Sequence, residues 1–221
     1  MSSTRIRRAG RKTGPKPRFT KEDVINAAVE LGIDRFTLGA VAAKLGIATS
    51  AMYRLFESRD ALVDACLTQA AAEIGTIMLD DELPWPEFLR NWAETTWDIC
   101  EKYPGLDITI FQYTQSFSHV QGFTQYAMGI LMAQGFSRSE ALFALDFIGD
   151  TVLATHVGMS AIQHSPEGMA IVKRTITELS AETLLDNKDH WSPQRGFLDA
   201  KVEFIIAGLK QQLGQRATEK T

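Results

Sequence analysis

Cysteine is scarce in this chain: Cys66 and Cys100 stand far apart with no CxxC spacing. Neither a disulfide framework nor a zinc site is therefore signalled, and two buried free thiols are expected, since both lie in apolar helical surroundings. The histidines His119, His156, His164 and His190 form no ligand-spaced cluster, so no metal is expected. No uninterrupted apolar run reaches the ~18 residues of a membrane span. The basic amino terminus lacks the apolar segment of a secretory signal. No stretch alternates apolar and polar residues between turn signals, as half-buried strands do, and no repeat is evident. HExxH, GxSxG and paired CxxC signatures are also missing. These absences point to a cytoplasmic, all-α protein with no membrane partner, no cofactor and no catalytic residues.

What is present is charge, unevenly spread. Residues 1–60 carry 12 Lys and Arg against 6 Asp and Glu; the remainder carries 11 against 21, within a net charge of −4. A basic head on an acidic body implies that only the head approaches a polyanion.

The pattern divides the chain into three parts. Residues 1–18 interleave arginine and lysine with Gly10, Gly14, Pro15 and Pro17 and offer nothing to bury, so a disordered basic arm is expected. Residues 19–63 read as a three-helix unit. Thr20 and Asp23 form a capping-box-like pair, Phe19 and Val24 stand at staple positions, and Gly32 closes the first helix. Thr37 caps a second helix that ends at Gly46, and a third runs from Thr49 to about Leu55. Residues 64–221 show only helical periods. A fourth helix starts near Arg59, and others follow from Phe88, from Leu106 to about Tyr113, and from Val120 to Gln134. Ser137, with Glu140 at the capping-box position, opens a helix that continues to Ser165, ~43 Å long at ~1.5 Å per residue. Another helix follows Pro166, then a polar loop over 186–194 and a last apolar stripe from Leu198 to Leu213.

Two helices joined at Gly46 make a helix-turn-helix, whose second helix can enter the major groove of a double-stranded DNA operator. Thr49 and Ser50 can bond base edges or phosphates, and Ala51 can touch a thymine methyl. Tyr53 and Arg54 suit phosphates, as does Thr37 at a helix start, and Arg59 is placed to clamp the same backbone. The opposing reading packs Tyr53 into the core and leaves Arg54 merely solvated. In the arm, Arg11, Lys12, Lys16 and Arg18 either lie in a minor groove or add only salt-sensitive affinity.

Residues 19–63 resemble the amino-terminal domain of TetR-type transcriptional regulators. The resemblance rests on the Phe19 to Gly32 helix, Thr37, the Leu38 to Gly46 helix, Gly46-Ile47 leading into Met52-Tyr53-Arg54-Leu55-Phe56, and Ser58-Arg59-Asp60-Ala61-Leu62. Ala48 departs from the Ser or Thr cap usual there, which hands the capping role to Thr49. Leu55 stands where a histidine is common. The resemblance implies a helical body that binds a small inducer and dimerises through a four-helix bundle. Pro84-Trp85-Pro86-Glu87-Phe88-Leu89-Arg90, Tyr103-Pro104-Gly105-Leu106 and Gly135-Phe136-Ser137 look like the tetracycline-repressor-like subset. Neither tetracycline nor its magnesium carries over.

The residues of the body support part of this independently. The helix from Ser137 is apolar almost all round, so a partner subunit is expected to cover one face, with Gly158 and Ala161 permitting close approach. Trp92, Thr96, Phe111, Phe117, Phe147, Asp150, Thr151 and His156 mix aromatic walls with sparse polar groups, as ligand sites do; plain core is the opposing reading. Asp146 and Asp150, four apart, share a face and suit either a cationic ligand or a structural bond. The expected function is a homodimeric sequence-specific regulator, a repressor released by a small-molecule effector. An architectural or partner-controlled DNA-binding protein without inducer, or an activator, uses the same head.

Overall fold

The computed structural model describes residues 19–77, 82–183 and 191–219. The arm, with Arg11, Lys12, Lys16 and Arg18, lies outside the described residues, as does part of the polar loop before the last helix.

The first helix, α1 (Lys21–Leu31), begins where Thr20 and Asp23 close a reciprocal cap. The Asp23 amide donates to Thr20 Oγ1 at 3.1 Å and the Thr20 amide donates to Asp23 Oδ2 at 2.7 Å. Those Thr20 bonds hold the Asp23 carboxyl below its ordinary value. Helix α2 (Leu38–Lys44) is capped by Thr37 Oγ1, which accepts from the Ala40 amide. Helix α3 (Thr49–Met52) is shorter than its sequence suggests. Its amino-terminal cap is Ala48, with no side-chain bond, and Thr49 does not take over that role. Beyond Met52 the amides of Arg54 and Leu55 reach back only three residues, to Ala51 and Met52, so the helix tightens into turns before reaching Leu55. Buried Met52 and Phe56 hold this segment against the core of the head, with Val24, Ala28, Ile33, Phe36 and Val41.

Helix α4 (Arg59–Ile77) crosses the boundary placed between residues 63 and 64. Its Leu62, Cys66, Leu67 and Ala70 belong to the core of the head, which also takes in Ile99, Tyr103 and Leu106 from the body. The body then runs through α5 (Trp85–Lys102), α6 (Leu106–Gln112), α7 (Ser116–Ala133), α8 (Arg138–His164), α9 (Gly168–Thr183) and α10 (Leu198–Glu219). Among the described residues there is no strand, and the fold is all-α, a helix-turn-helix head on a helical body. Helix α7 starts four residues before Val120, because Ser116, Ser118 and His119 interrupt the apolar period without stopping the helix.

Helix α8 is the axis of the body. Ser137 and Glu140 form its expected capping box, and it packs against α5, α6, α7, α9 and α10. Ala141, Leu145, Ile148 and Val152 are buried there with Phe88, Leu89, Leu131 and Ile206. By length and composition alone α8 could cross a membrane, yet this buried face makes it the core helix of the bundle. Its other faces differ. Phe143, Phe147, Ala154, Gly158 and Ala161 form an exposed stripe that runs past Phe204 of α10, itself 80% exposed.

Candidate DNA-binding face and ligand cavity

The head presents one polar face built at the turn between α2 and α3. Gly46 makes that turn with φ of 65°, in the left-handed region that glycine enters without strain. Thr49 and Ser50 are exposed on the first turn of α3, Ala51 is half-buried, and Thr37 is exposed at the start of α2. Tyr53 is 56% exposed and Arg54 is exposed beside it, so neither packs into the core. Six of the residues singled out in the head are thus brought together at its surface.

Arg59 is different. Its Nε donates to the Phe36 carbonyl at 3.0 Å and its Nη2 to the carbonyls of Ile33 and Asp34 at 2.9 and 2.8 Å. The guanidinium also stacks on the Phe36 ring, 4.9 Å from its centroid. The expectation of a DNA clamp is corrected: this arginine is spent satisfying backbone carbonyls of the loop between α1 and α2, and it rivets α4 to the head. Among the head's described cations, Lys44 pairs with Glu30 at 2.7 Å and Lys21 lies over the Phe56 ring. Arg54 has no such partner among the described residues, and all of the excess positive charge of residues 1–60 sits in residues 1–18.

The body encloses a cavity of about 370 Å³ between α4, α5, α6, α7 and α8. Trp92, Thr96, Phe111, Phe117 and Asp150 line it, as expected, with Phe111 and Phe117 more than half exposed at its edge. Phe147 and Thr151 do not. They fall on the outer face of α8, against Ala200, Lys201, Phe204 and Ile205 of α10. The helical period explains the split: one residue further along turns the side chain by about 100°. Leu142, Leu145, Asp146, Gly149, Asp150 and Leu153 share the inner face, and that spacing was the available signal for Asp146 and Gly149. Phe123 and Thr124 of α7 also line the cavity; they lie inside the helix expected from Val120 to Gln134, whose period does not mark which of its faces meets α8.

His156 is not a cavity residue either. It is buried, its Nδ1 lies 2.6 Å from Asp107 Oδ2, and its ring makes a T-shaped contact with Trp97 at 4.7 Å between centroids. Its Nε2 comes within 3.2 Å of Glu101 Oε1 but outside hydrogen-bonding geometry. Burial raises the Asp107 carboxyl, yet the bonds from His156 and the Ile108 amide outweigh it and hold the group below its ordinary value. This is a structural tie between α6 and α8. The two cysteines are buried free thiols, raised by burial, that of Cys66 to about 12. Among the described residues no group of three or more His, Cys, Asp or Glu is arranged to hold a metal.

Besides the shared core around α4, head and body meet at a seam between the α1–α2 loop and the start of α6. The Ile33 amide donates to the Pro104 carbonyl at 2.8 Å, and Gly105 lies against the Asp34 carboxylate. Helix α6 starts at that glycine, and its Leu106, Ile110 and Phe111 reach the cavity.

A basic-armed helix-turn-helix head on a cavity-bearing helical body is the architecture of a DNA-binding regulator. Residues 24–66 match the family of bacterial regulatory proteins, tetR family, so the head is similar to the DNA-binding domain of TetR-type transcriptional regulators. Its fold is similar to that of TetR from Acinetobacter baumannii AYE, at TM-score 0.64 and 22% identity over 89% of this chain and 99% of that one. A variant of the same TetR in complex with minocycline aligns at TM-score 0.55 and 20% identity, with the same coverage of both chains. A possible TetR family transcriptional regulator from Streptomyces coelicolor A3(2) aligns at TM-score 0.53 and 18% identity over 90% of this chain and 100% of that one. No curated protein matches the chain at a significant level.

Proposed function

We propose that this protein is a homodimeric, cytoplasmic repressor that holds a palindromic operator and leaves it when a small molecule fills the cavity of the body. The observation that carries this reading is that the cavity shares its walls with the joint to the head. Helix α4 contributes Ile74 to the cavity and, at its other end, Arg59 to three carbonyls of the head. Helix α6 contributes Phe111 and Ile110 to the cavity and begins at the seam against Asp34. A ligand that spreads α6 from α8 therefore moves both supports of the head, and the two reading heads of a dimer lose their common spacing.

In this reading Thr49, Ser50 and Ala51 face the bases, while Thr37, Tyr53 and Arg54 hold phosphates. Arg11, Lys12, Lys16 and Arg18 of the arm add charge along the duplex. Dimerisation is supported by the uncovered stripe on α8 and by Phe204 beside it on α10. An apolar face of this extent calls for a partner, and two helices from each subunit would form a four-helix interface. The minocycline bound by a variant of the Acinetobacter TetR supports a small-molecule effector for a body of this fold.

The test is selection of bound sequences from random duplex DNA, followed by footprinting. A short palindrome with half-site centres ~34 Å or a multiple apart is expected; diffuse binding with a steep salt slope overturns the reading. Release is tested by native mass spectrometry of protein drawn from its own cells and passed over the immobilised operator. Protein carrying a retained compound is expected in the unbound fraction, and loaded protein that keeps the operator overturns release by a ligand.

A further inference from the structure

Two exposed carboxylates at the mouth of the cavity have no cationic partner among the described residues. Asp146 and Asp150 stand one turn apart on α8, both line the cavity, and neither has an ion pair or hydrogen bond among the described residues. Among the described residues no lysine, arginine or histidine lines the cavity with them. The Asp150 carboxyl is raised, first by burial and then by the charge of Asp146. Like charges on one apolar face repel, and a bound cation relieves both at once.

The other polar groups of the cavity narrow what such a cation looks like. The Thr96 hydroxyl donates to the Trp92 carbonyl at 2.7 Å and the Thr124 hydroxyl to the Val120 carbonyl at 2.9 Å, so both are used within their own helices. The Ser116 hydroxyl is likewise turned to the Tyr113 carbonyl. One donor remains. Trp92 is 7% exposed, and its indole Nε1 has no partner. That nitrogen faces Gly149, where even a β-carbon would stand 4.0 Å away, and Trp92 and Gly149 both border the cavity. The rest of the wall is aliphatic or aromatic, with Phe123 at 5.5 Å from the Trp92 ring. A divalent metal fits poorly, because no third His, Cys, Asp or Glu joins the pair among the described residues.

Building on the reading of this cavity as the effector site, we propose that it takes an amphipathic organic cation. A ring-bearing apolar body lies among Trp92, Phe111, Phe117 and Phe123, where aromatic faces also attract positive charge. The cationic nitrogen sits against Asp146 and Asp150, and a hydrogen-bond acceptor on the ligand meets the Trp92 indole N–H. Anions are excluded by the same pair of carboxylates.

The test uses the full-length protein and two probes that share a ring system and differ in charge: naphthylmethyl-trimethylammonium and naphthylmethanesulfonate. Calorimetry is expected to give the ammonium probe an affinity at least roughly tenfold above the sulfonate. In the Asp146→Asn/Asp150→Asn protein that preference is expected to vanish. A methoxy group added to the ring of the ammonium probe is expected to raise affinity for the native protein and not for Trp92→Phe. Equal binding of the two probes, stronger binding of the sulfonate, or binding of neither overturns the proposal, as does a preference that survives the double substitution. Operator affinity measured in the same titrations separates this failure from that of the effector reading. Operator release by the sulfonate alone would leave an effector cavity of another chemistry; ammonium binding without release would leave a cation site that is not an effector site.

Discussion

Gly105 backs directly onto Asp34. A β-carbon at residue 105 would overlap the Asp34 carboxylate, and the backbone there has φ of 81°. The contact joins the loop of the head to the first residue before α6. Beside it the Ile33 amide bonds the Pro104 carbonyl, and Arg59 holds the carbonyls of Ile33 and Asp34 from the other side. Three segments distant in sequence thus make one joint.

Gly105→Ala is therefore expected to act on coupling as well as on stability. The left-handed backbone alone disfavours alanine by about 1–2 kcal/mol, and the Asp34 carboxylate must also move. Thermal unfolding is expected a few degrees lower, with operator affinity reduced at temperatures where the protein remains folded. Unchanged operator affinity in a folded Gly105→Ala protein would show that the joint does not set the position of the head.

Tyr53 and Arg59 are expected to separate DNA contact from architecture. Tyr53 is exposed and makes no core contact that truncation would empty, so Tyr53→Ala should weaken operator binding by tenfold or more at nearly unchanged melting temperature. Arg59→Ala removes three part-buried hydrogen bonds to backbone carbonyls and the stacking on Phe36. Unsatisfied buried acceptors cost about 1–3 kcal/mol each, so a large loss of stability is expected. Chemical denaturation of both variants beside operator titration checks the contrast.

The head was legible because its signals are local. Thr20 with Asp23, Thr37, and the glycines at 32 and 46 fix helix ends within a few residues of chain, and the structure keeps them. The length of α3 was not, since its end depends on Met52 and Phe56 packing into a core assembled from α1, α2 and α4. Arg59 looked like a phosphate ligand because its type and position allow that role; only the placement of the Ile33 to Phe36 carbonyls shows where it turns. In the body the inner face of α8 follows the helical period, yet aromatic residues one position off that face, such as Phe147, carry no mark of which side they take. His156 was drawn into the cavity for its polarity, whereas its partner Asp107 lies 49 residues away and becomes visible only in three dimensions.

The arm is expected to control salt dependence. Residues 1–18 hold seven of the chain's lysines and arginines, whereas residues 19–60 hold five against six acidic residues. Each phosphate neutralised contributes about 0.9 to the slope of log affinity against log salt. Deleting residues 2–18 should therefore make that slope shallower by several units per protomer and weaken binding most at low salt. An unchanged slope would place the phosphate contacts on the head alone.

The tie between Asp107 and His156 sets a pH dependence with a definite sign. The folded Asp107 carboxyl is held below its ordinary value, so its contribution is present above about pH 4, where the unfolded group is ionised. It fades as pH falls through the folded value. Asp107→Asn is expected to destabilise the protein by about 1–3 kcal/mol at neutral pH, and by less near pH 3. Urea denaturation of both proteins at the two pH values gives the comparison; an equal loss at both would remove the charge from the account.

Phe204 is the residue on which the dimer is expected to turn. It is 80% exposed on α10, next to the outer-face groove formed by Phe147, Thr151 and Ala200. Burying a phenylalanine side chain contributes about 1.5–3 kcal/mol, and two-fold symmetry counts it twice. Phe204→Asp replaces that gain with two carboxylates near the axis, while the isolated fold, which leaves the side chain in solvent, should tolerate the change. Analytical ultracentrifugation is expected to show a dimer for the native protein and a monomer for Phe204→Asp. Helix content should be kept, and affinity for a two-half-site operator should fall by more than affinity for a single half-site. A Phe204→Asp dimer of undiminished strength would move the interface away from this face of α8 and α10.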